Sequence, residues 1–122
     1  MRNNIFACIF FFLSLTAFAQ FNNFRAEFTS AYSNHPAIPK GLFEAISYNK
    51  THLQNLEGKE QSCMGLPTYF GPMGIVEDGK NYFKNTADII AELSGYPKED
   101  ILKNPNINMV SYAIALENLT QN

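Results

Sequence analysis

The sequence has few of the residues that hold small proteins together covalently or through a metal ion. It contains two cysteines, two histidines and no tryptophan among 122 residues. Cys8 lies in an apolar N-terminal run, so Cys63 alone remains for the folded part, where it stays free or pairs with a cysteine outside this segment. His35 and His52 show no metal-ligand spacing, whereas a zinc site needs three or four ligands. We therefore expect no metal and no cofactor, and we expect both histidines to be ordinary surface residues.

A basic surface is also absent. The chain has 9 lysines and arginines against 11 aspartates and glutamates, a formal net charge of −2. Proteins that bind nucleic acid present a basic face to the phosphates. The charge therefore argues against a nucleic-acid partner, and the length indicates one small domain.

An apolar run opens the chain. Arg2 precedes the run IFACIFFFLSLTAFA, which ends on Ala17-Phe18-Ala19. Such a run with an A-x-A ending is typical of a secretory signal peptide, and its length of about 15 residues is short of the roughly 20 that span a bilayer. We expect residues 1–19 to be a cleaved signal peptide and residues 20–122 to be the mature domain. The protein would then be periplasmic or extracellular, with no membrane contact after cleavage.

The remaining chain is predicted to be mainly α-helical. Apolar residues recur at helical spacing in about four segments, which begin near Phe21, Ile38, Asn85 and Asn106. Pro39 suits the first turn of the second helix, and Gly58 is a plausible end for it. The sequence also indicates a short helical turn just before the last helix. Residues 62–83 contain four glycines and two prolines, which predicts a loop-rich centre with little room for sheet.

The second predicted helix carries a glutamate whose role the pattern leaves open. Its expected core face holds Leu42, Phe43, Ile46 and Leu53. Glu44 lies on the opposite face, with Ser47, Tyr48 and Thr51 beside it. A glutamate on such a face is usually a solvated charge. A glutamate in a poorly solvated cleft can instead act as a general acid.

Three segments resemble, in the same order, motifs of lytic transglycosylases and goose-type lysozymes. Glu44 lies in LFEAIS, where those families have a helix with a catalytic glutamate. Residues 71–77, GPMGIVE, resemble the loop G-x-M-G-[LI]-x-Q, and residues 104–108, NPNIN, resemble the pattern D-P-x-x-N-I. The same stretches look still more like the N-terminal region of exported N-acetylmuramoyl-L-alanine amidases of Bacteroidetes-type bacteria. There a lysozyme-like segment precedes a zinc amidase domain.

The resemblance implies a lysozyme-like α+β fold acting on peptidoglycan glycan strands. Glu44 would be the acid, facing a cleft whose far wall is the loop 71–75. Glu77 or Asp78 would be a second carboxylate that places a water. The expected substrate contacts are Gly71, Met73, Gly74, Tyr48 and Tyr69, although packing is an equally good role for the methionine and the tyrosines.

Departures from the family pattern leave other functions open. Ala45 follows Glu44 where the family usually has serine, and Glu77 replaces the usual glutamine. Family domains continue into a further helix, so the resemblance implies that this chain is a fragment or a truncated product. One alternative is a degenerate, non-catalytic domain that binds glycan or supports a missing domain, such as a downstream zinc amidase. Another is an unrelated exported helical domain with a partner protein.

Overall fold

The computed structural model describes residues 24–59 and 66–121. The expected signal peptide, residues 1–19, and Cys63 lie outside the described residues. The described part contains five helices and three short strands: α1 (Arg25–Asn34), α2 (Leu42–Thr51), β1 (Leu56–Glu57), β2 (Tyr69–Gly71), β3 (Ile75–Val76), α3 (Thr86–Ser94), α4 (Lys98–Lys103) and α5 (Pro105–Thr120). Among these helices, none is both long and apolar enough to cross a membrane.

The three strands form a small antiparallel sheet in the order β1-β2-β3, and β2 and β3 lie in the region predicted to be loop-rich. Leu56 pairs with Gly71, and Phe70 pairs with Ile75. The turn between β2 and β3 closes through a bond from the Gly74 N–H to the Gly71 carbonyl oxygen, at 3.3 Å. Both glycines have positive φ, which permits the tight reversal. Glycine and proline therefore mark a hairpin here, and strands of two or three residues each agree with the expectation of little sheet.

The bounds of α2 differ from the prediction at both ends. The helix begins at Leu42 after Gly41, which has a φ of 90°, so Pro39 precedes the helix. It ends at Thr51 because His52 and Leu53 adopt positive φ values of 53° and 61°. The prediction that Gly58 ends this helix is wrong.

The C-terminal helices follow the sequence signals more closely. Ser94-Gly95 in the sequence predicts the end of α3, and Gly95 ends this helix in the left-handed conformation, with a φ of 76°. Asn104 caps α5, since its side chain accepts bonds from the backbone N–H groups of Asn106 and Ile107. The predicted helical turn before α5 is a helix of its own, α4, which makes five helices in the described residues instead of about four.

The helix α5 runs through the centre of the fold and contacts α1, α3, α4 and β2. Because neighbours surround it, its burial is not confined to one stripe. Its most buried residues are Asn108, Met109, Ser111, Ala113 and Ala115. We expect Ile107, Val110, Ala113, Ile114 and Leu116 to be buried from their helical spacing; Ala113 is 0% exposed, while the other four are half-buried. Small and polar side chains let the neighbouring elements approach this helix closely.

The polar face of α2 is not solvated as expected. Ser47 is 0% exposed and Thr51 is 3% exposed. The Thr51 hydroxyl lies 2.8 Å from the Ser47 carbonyl oxygen and 2.9 Å from that of Pro72, so it can donate to either one. The end of α2 therefore packs against the β2–β3 turn through a hydroxyl side chain that satisfies a backbone carbonyl. The predicted burial of Phe43, 0% exposed, is confirmed.

Candidate functional site

Glu44 lies in the first turn of α2, and Tyr32 of α1 fixes its position. The Tyr32 hydroxyl donates a hydrogen bond to the Glu44 carboxylate and accepts one from the Phe43 N–H at 3.0 Å. The rings of Tyr32 and Phe43 stack, with centroids 5.0 Å apart. Because Gly41 offers no capping side chain, this hydroxyl satisfies a backbone donor at the start of α2. One residue of α1 therefore holds both the helix start and the carboxylate.

A cavity of about 480 Å³ lies beside this carboxylate. It is lined by Thr29, Tyr32, Ser33, Pro36, Ile38, Lys40 and Glu44. Burial and the bond to Glu44 raise the pKa of Tyr32, so its phenol keeps the proton that it donates. The cavity thus offers one half-buried carboxylate, a hydroxyl donor, an ammonium group and an apolar wall.

The turn at residues 71–75 contacts the other end of α2. Thr51, which touches the turn at Pro72, follows Glu44 by seven residues, about 10 Å along a helix. The described residues that line the Glu44 cavity come from α1, the 36–40 connection and α2. Among the described residues, none of the turn lines this cavity, so the expected cleft, with Glu44 on one wall and the turn on the other, is not found in that part of the chain.

The turn is held to α5 by the fully buried Asn108. Its side chain accepts a bond from the Met73 N–H at 3.1 Å and donates to the carbonyl oxygens of Phe70 and Ile101, at 3.2 and 3.0 Å. A β-carbon placed on Gly71 would lie 2.2 Å from the Asn108 side chain. The missing side chain of Gly71 therefore makes room for the Asn108 side chain, whereas the sequence analysis expected Gly71 to contact the substrate.

Met73 and Gly74 also make internal contacts. Met73 is 0% exposed and belongs to the core. A β-carbon placed on Gly74 would lie 2.8 Å from Lys50 Cβ and 3.2 Å from Thr51 Cγ2. The residues of this turn thus pack the hairpin against both α2 and α5.

The two carboxylates proposed to assist Glu44 have local partners. Glu77 pairs with Lys98 at 3.1 Å. Asp78 accepts bonds from the backbone N–H groups of Lys80, Tyr82 and Phe83, which lower the pKa of its carboxyl group. Neither Glu77 nor Asp78 lines the Glu44 cavity, and Glu44 is the one carboxylate among the described residues that do.

The expected aromatic contacts lie outside the cavity as well. Tyr48 is 57% exposed and meets the His52 ring edge-on, with centroids 5.5 Å apart. Tyr69 is half-buried in β2. These positions leave Tyr48 open to a ligand on the outer face of α2, and they place Tyr69 within the sheet.

His35 is not the ordinary surface residue that was expected. Its Nδ1 atom lies 2.6 Å from Glu117 Oε2, and the two side chains are only 13% and 24% exposed. The pair joins the end of α1 to α5. His52, by contrast, is exposed, as expected. Within the described residues, no three histidine, cysteine, aspartate or glutamate side chains come together as metal ligands would.

A second group of titratable side chains, which sequence reasoning missed, lies where α2, the turn and α5 meet. Lys50 Nζ is 6.0 Å from the centre of the Tyr112 ring. Burial lowers the pKa of Lys50 and raises the pKa of Tyr112. Lys50 and Tyr112 are 62 positions apart, so no local sequence pattern could have paired them.

Asn108 did leave a signal in the sequence, because it is an asparagine within the apolar run I-N-M-V.

Comparisons of the chain with protein-family models, with curated proteins and with solved structures find no match.

Proposed function

We propose that this chain is a peptidoglycan-directed domain of the lysozyme-like type, exported to the periplasm or the cell exterior. The glycan strand binds in the cavity beside Glu44, and Glu44 protonates the glycosidic oxygen that leaves. One observation carries the proposal: a half-buried carboxylate, oriented by a tyrosine hydroxyl, opens onto a cavity of about 480 Å³.

The contacts between the resembling segments support the lysozyme-like assignment. The glutamate helix touches the G-x-M-G turn through Thr51 and Pro72. The G-x-M-G turn also contacts the N-P-x-x-N segment, because the Met73 N–H donates a hydrogen bond to the Asn108 side chain. The three segments that carry the resemblance thus form one contact chain, although residues 73 and 108 are far apart in sequence. A chance likeness of three short motifs would not require them to touch.

The proposed chemistry needs only one carboxylate. Glu44 in its acid form gives a proton to the glycosidic oxygen, and the resulting carboxylate then accepts a proton from the attacking group. A group of the substrate itself can make that attack, as in substrate-assisted glycosidases. The Tyr32 hydroxyl would stabilise the carboxylate after proton transfer, since a phenol donates a strong bond to an ionised acceptor.

The test compares the protein with its Glu44→Gln variant on purified sacculi. We expect the protein to release soluble muropeptides and the variant to release none while still sedimenting with the sacculi. The matched control is Glu92→Gln, which changes an exposed glutamate of α3. Equal release by the protein and Glu44→Gln would remove Glu44 from the mechanism.

The position of the turn favours a second candidate, a lysozyme-like domain that binds glycan without cleaving it. The G-x-M-G turn lies at the Thr51 end of α2, away from the Glu44 cavity, so the catalytic cleft of the family would be incomplete. Such a domain would position a zinc amidase domain of the parent protein on its substrate. Sedimentation with sacculi, without release by either form, would support this candidate. An unrelated helical domain would stay in the supernatant.

A further inference from the structure

We infer that the exposed loop at residues 79–84 is a second contact surface for the glycan strand. Its Tyr82 stacks on a sugar ring, and Lys80 and Lys84 meet carboxylates of the peptidoglycan. The inference rests on the proposed function, which supplies the ligand. No residue of the loop lines the Glu44 cavity, so this surface is separate from the proposed site of cleavage.

The loop places two adjacent aromatic side chains in solvent. Every residue from 79 to 84 is exposed, with Tyr82 at 81% and Phe83 at 42%. Among the described residues, neither ring belongs to the hydrophobic core or to an aromatic pair. Single exposed apolar residues are common, but two adjacent aromatic rings without a packing role favour a contact surface.

Hydrogen bonds, and not burial, order this loop. The Asp78 carboxylate accepts bonds from the backbone N–H groups of Lys80, Tyr82 and Phe83, at 3.0, 2.7 and 2.8 Å. The Asn81 N–H donates to the Asp78 carbonyl oxygen at 3.1 Å. The rings thus stand on a backbone that is already fixed, so binding costs less conformational freedom than it would on a loose loop.

The charge of the loop is opposite to that of the whole chain. Residues 79–84 contain Lys80 and Lys84 and no acidic residue, whereas the chain has a formal net charge of −2. Neither lysine belongs to an ion pair with a described residue. The acidic neighbour Asp78 directs both carboxylate oxygens at backbone N–H groups. A positive loop on an acidic protein draws an anionic ligand to this place.

Peptidoglycan combines the two groups that such a loop binds. An aromatic face suits the apolar face of a sugar ring, and an ammonium group pairs with the carboxylates of the lactyl groups and stem peptides. An anionic membrane would also attract lysine and aromatic side chains. Membrane binding scales with the apolar area that enters the lipid, and residues 79–84, GKNYFK, offer no aliphatic side chain for it. The composition of the loop therefore favours the glycan.

The experiment measures how much protein sediments with purified sacculi, in the Glu44→Gln background so that the polymer stays intact. Tyr82→Ala should weaken binding about tenfold, the loss typical of an aromatic anchor in an interface. Tyr82→Phe should bind nearly as well as the parent, because the ring remains. Leu119→Ala, which changes a leucine of α5 that is 61% exposed, is the matched control and should bind unchanged.

Salt tests the contribution of the lysines. Lys84→Gln should weaken binding about threefold and reduce its dependence on salt, because charge pairs at an exposed surface are modest and screened. Lys103→Gln, at an exposed lysine of α4, should leave both the affinity and its salt dependence unchanged.

The outcomes separate this inference from the proposed function. Equal binding by Tyr82→Ala and Leu119→Ala would overturn the inference, while release of muropeptides by the original protein would keep the proposed function. Binding that needs Tyr82, without any release, would support the loop surface and refute cleavage by Glu44. A protein that ignores sacculi would refute both. Loss of sedimentation in Tyr82→Ala with vesicles of phosphatidylglycerol and phosphatidylethanolamine, but not with sacculi, would identify a membrane surface and overturn the inference.

Discussion

Replacing Asn108 with alanine should remove a large part of the stability of the domain. The side chain is 0% exposed and makes three bonds to backbone groups, at 3.0 to 3.2 Å. They reach Met73 and Phe70 of the hairpin and Ile101 of α4. The variant would leave the N–H of Met73 and two carbonyl oxygens without their partner in a region closed to water.

The magnitude follows from these three groups. A buried donor or acceptor left unpaired costs about 1–3 kcal/mol. The sum for three groups is roughly 3–9 kcal/mol by that rule, against a total of about 5–15 kcal/mol for a typical domain. For about 100 residues, such a loss lowers the melting temperature by roughly 15 °C or more.

The measurement is unfolding by urea and by heat, followed by circular dichroism. The matched control is Asn106→Ala, since Asn106 is an exposed asparagine in the first turn of the same helix. It should change the free energy of unfolding by no more than about 0.5 kcal/mol. A difference below about 1 kcal/mol between the two variants would show that Asn108 does not hold the hairpin.

Two further predictions concern Tyr32 and Lys50. Tyr32→Phe should lower the free energy of unfolding by about 1–3 kcal/mol, because the Phe43 N–H loses its acceptor; Tyr82→Phe, at a residue 81% exposed, is the control, and equal values for the two variants would refute the capping role. Lys50→Met should remove a pH dependence of stability in the alkaline range, because desolvation holds the pKa of Lys50 below its ordinary value of 10.5. The unfolded chain then binds more protons than the folded one just below pH 10.5, so the original protein gains stability as pH rises there. Lys84→Met, which keeps Lys50, should show the same gain in that window and Lys50→Met should not, and a gain of equal size in both variants would contradict the reasoning.

The helices were predictable where a local signal sets their ends. Gly95 ends α3 because glycine adopts the left-handed conformation readily, and the sequence shows that glycine. The end of α2 had no such signal, since His52 and Leu53 take positive φ values that non-glycine residues rarely adopt. Thr51, the last residue of this helix, contacts the hairpin at the Pro72 carbonyl oxygen, and such a contact forms only in the folded protein.

The candidate site was predictable only in part, for the same reason. Periodicity placed Glu44 away from the apolar stripe of α2, but it could not show that α1 brings Tyr32 to the carboxylate. Periodicity also assigned Ser47 and Thr51 to solvent, because it counts hydroxyl side chains as polar. Both are small enough to be buried in a helix when backbone carbonyls accept their protons.

The dual role of Tyr32 has a consequence for how the protein folds. The first turn of α2 gains its hydrogen-bond acceptor only when α1 docks, since the acceptor at the Phe43 N–H is a side chain of α1. An isolated helix of ten residues is marginal in water, so α2 gains its start and its docking partner in one step. Local opening of α1 would therefore remove both the acceptor of the Phe43 N–H and the donor to the Glu44 carboxylate.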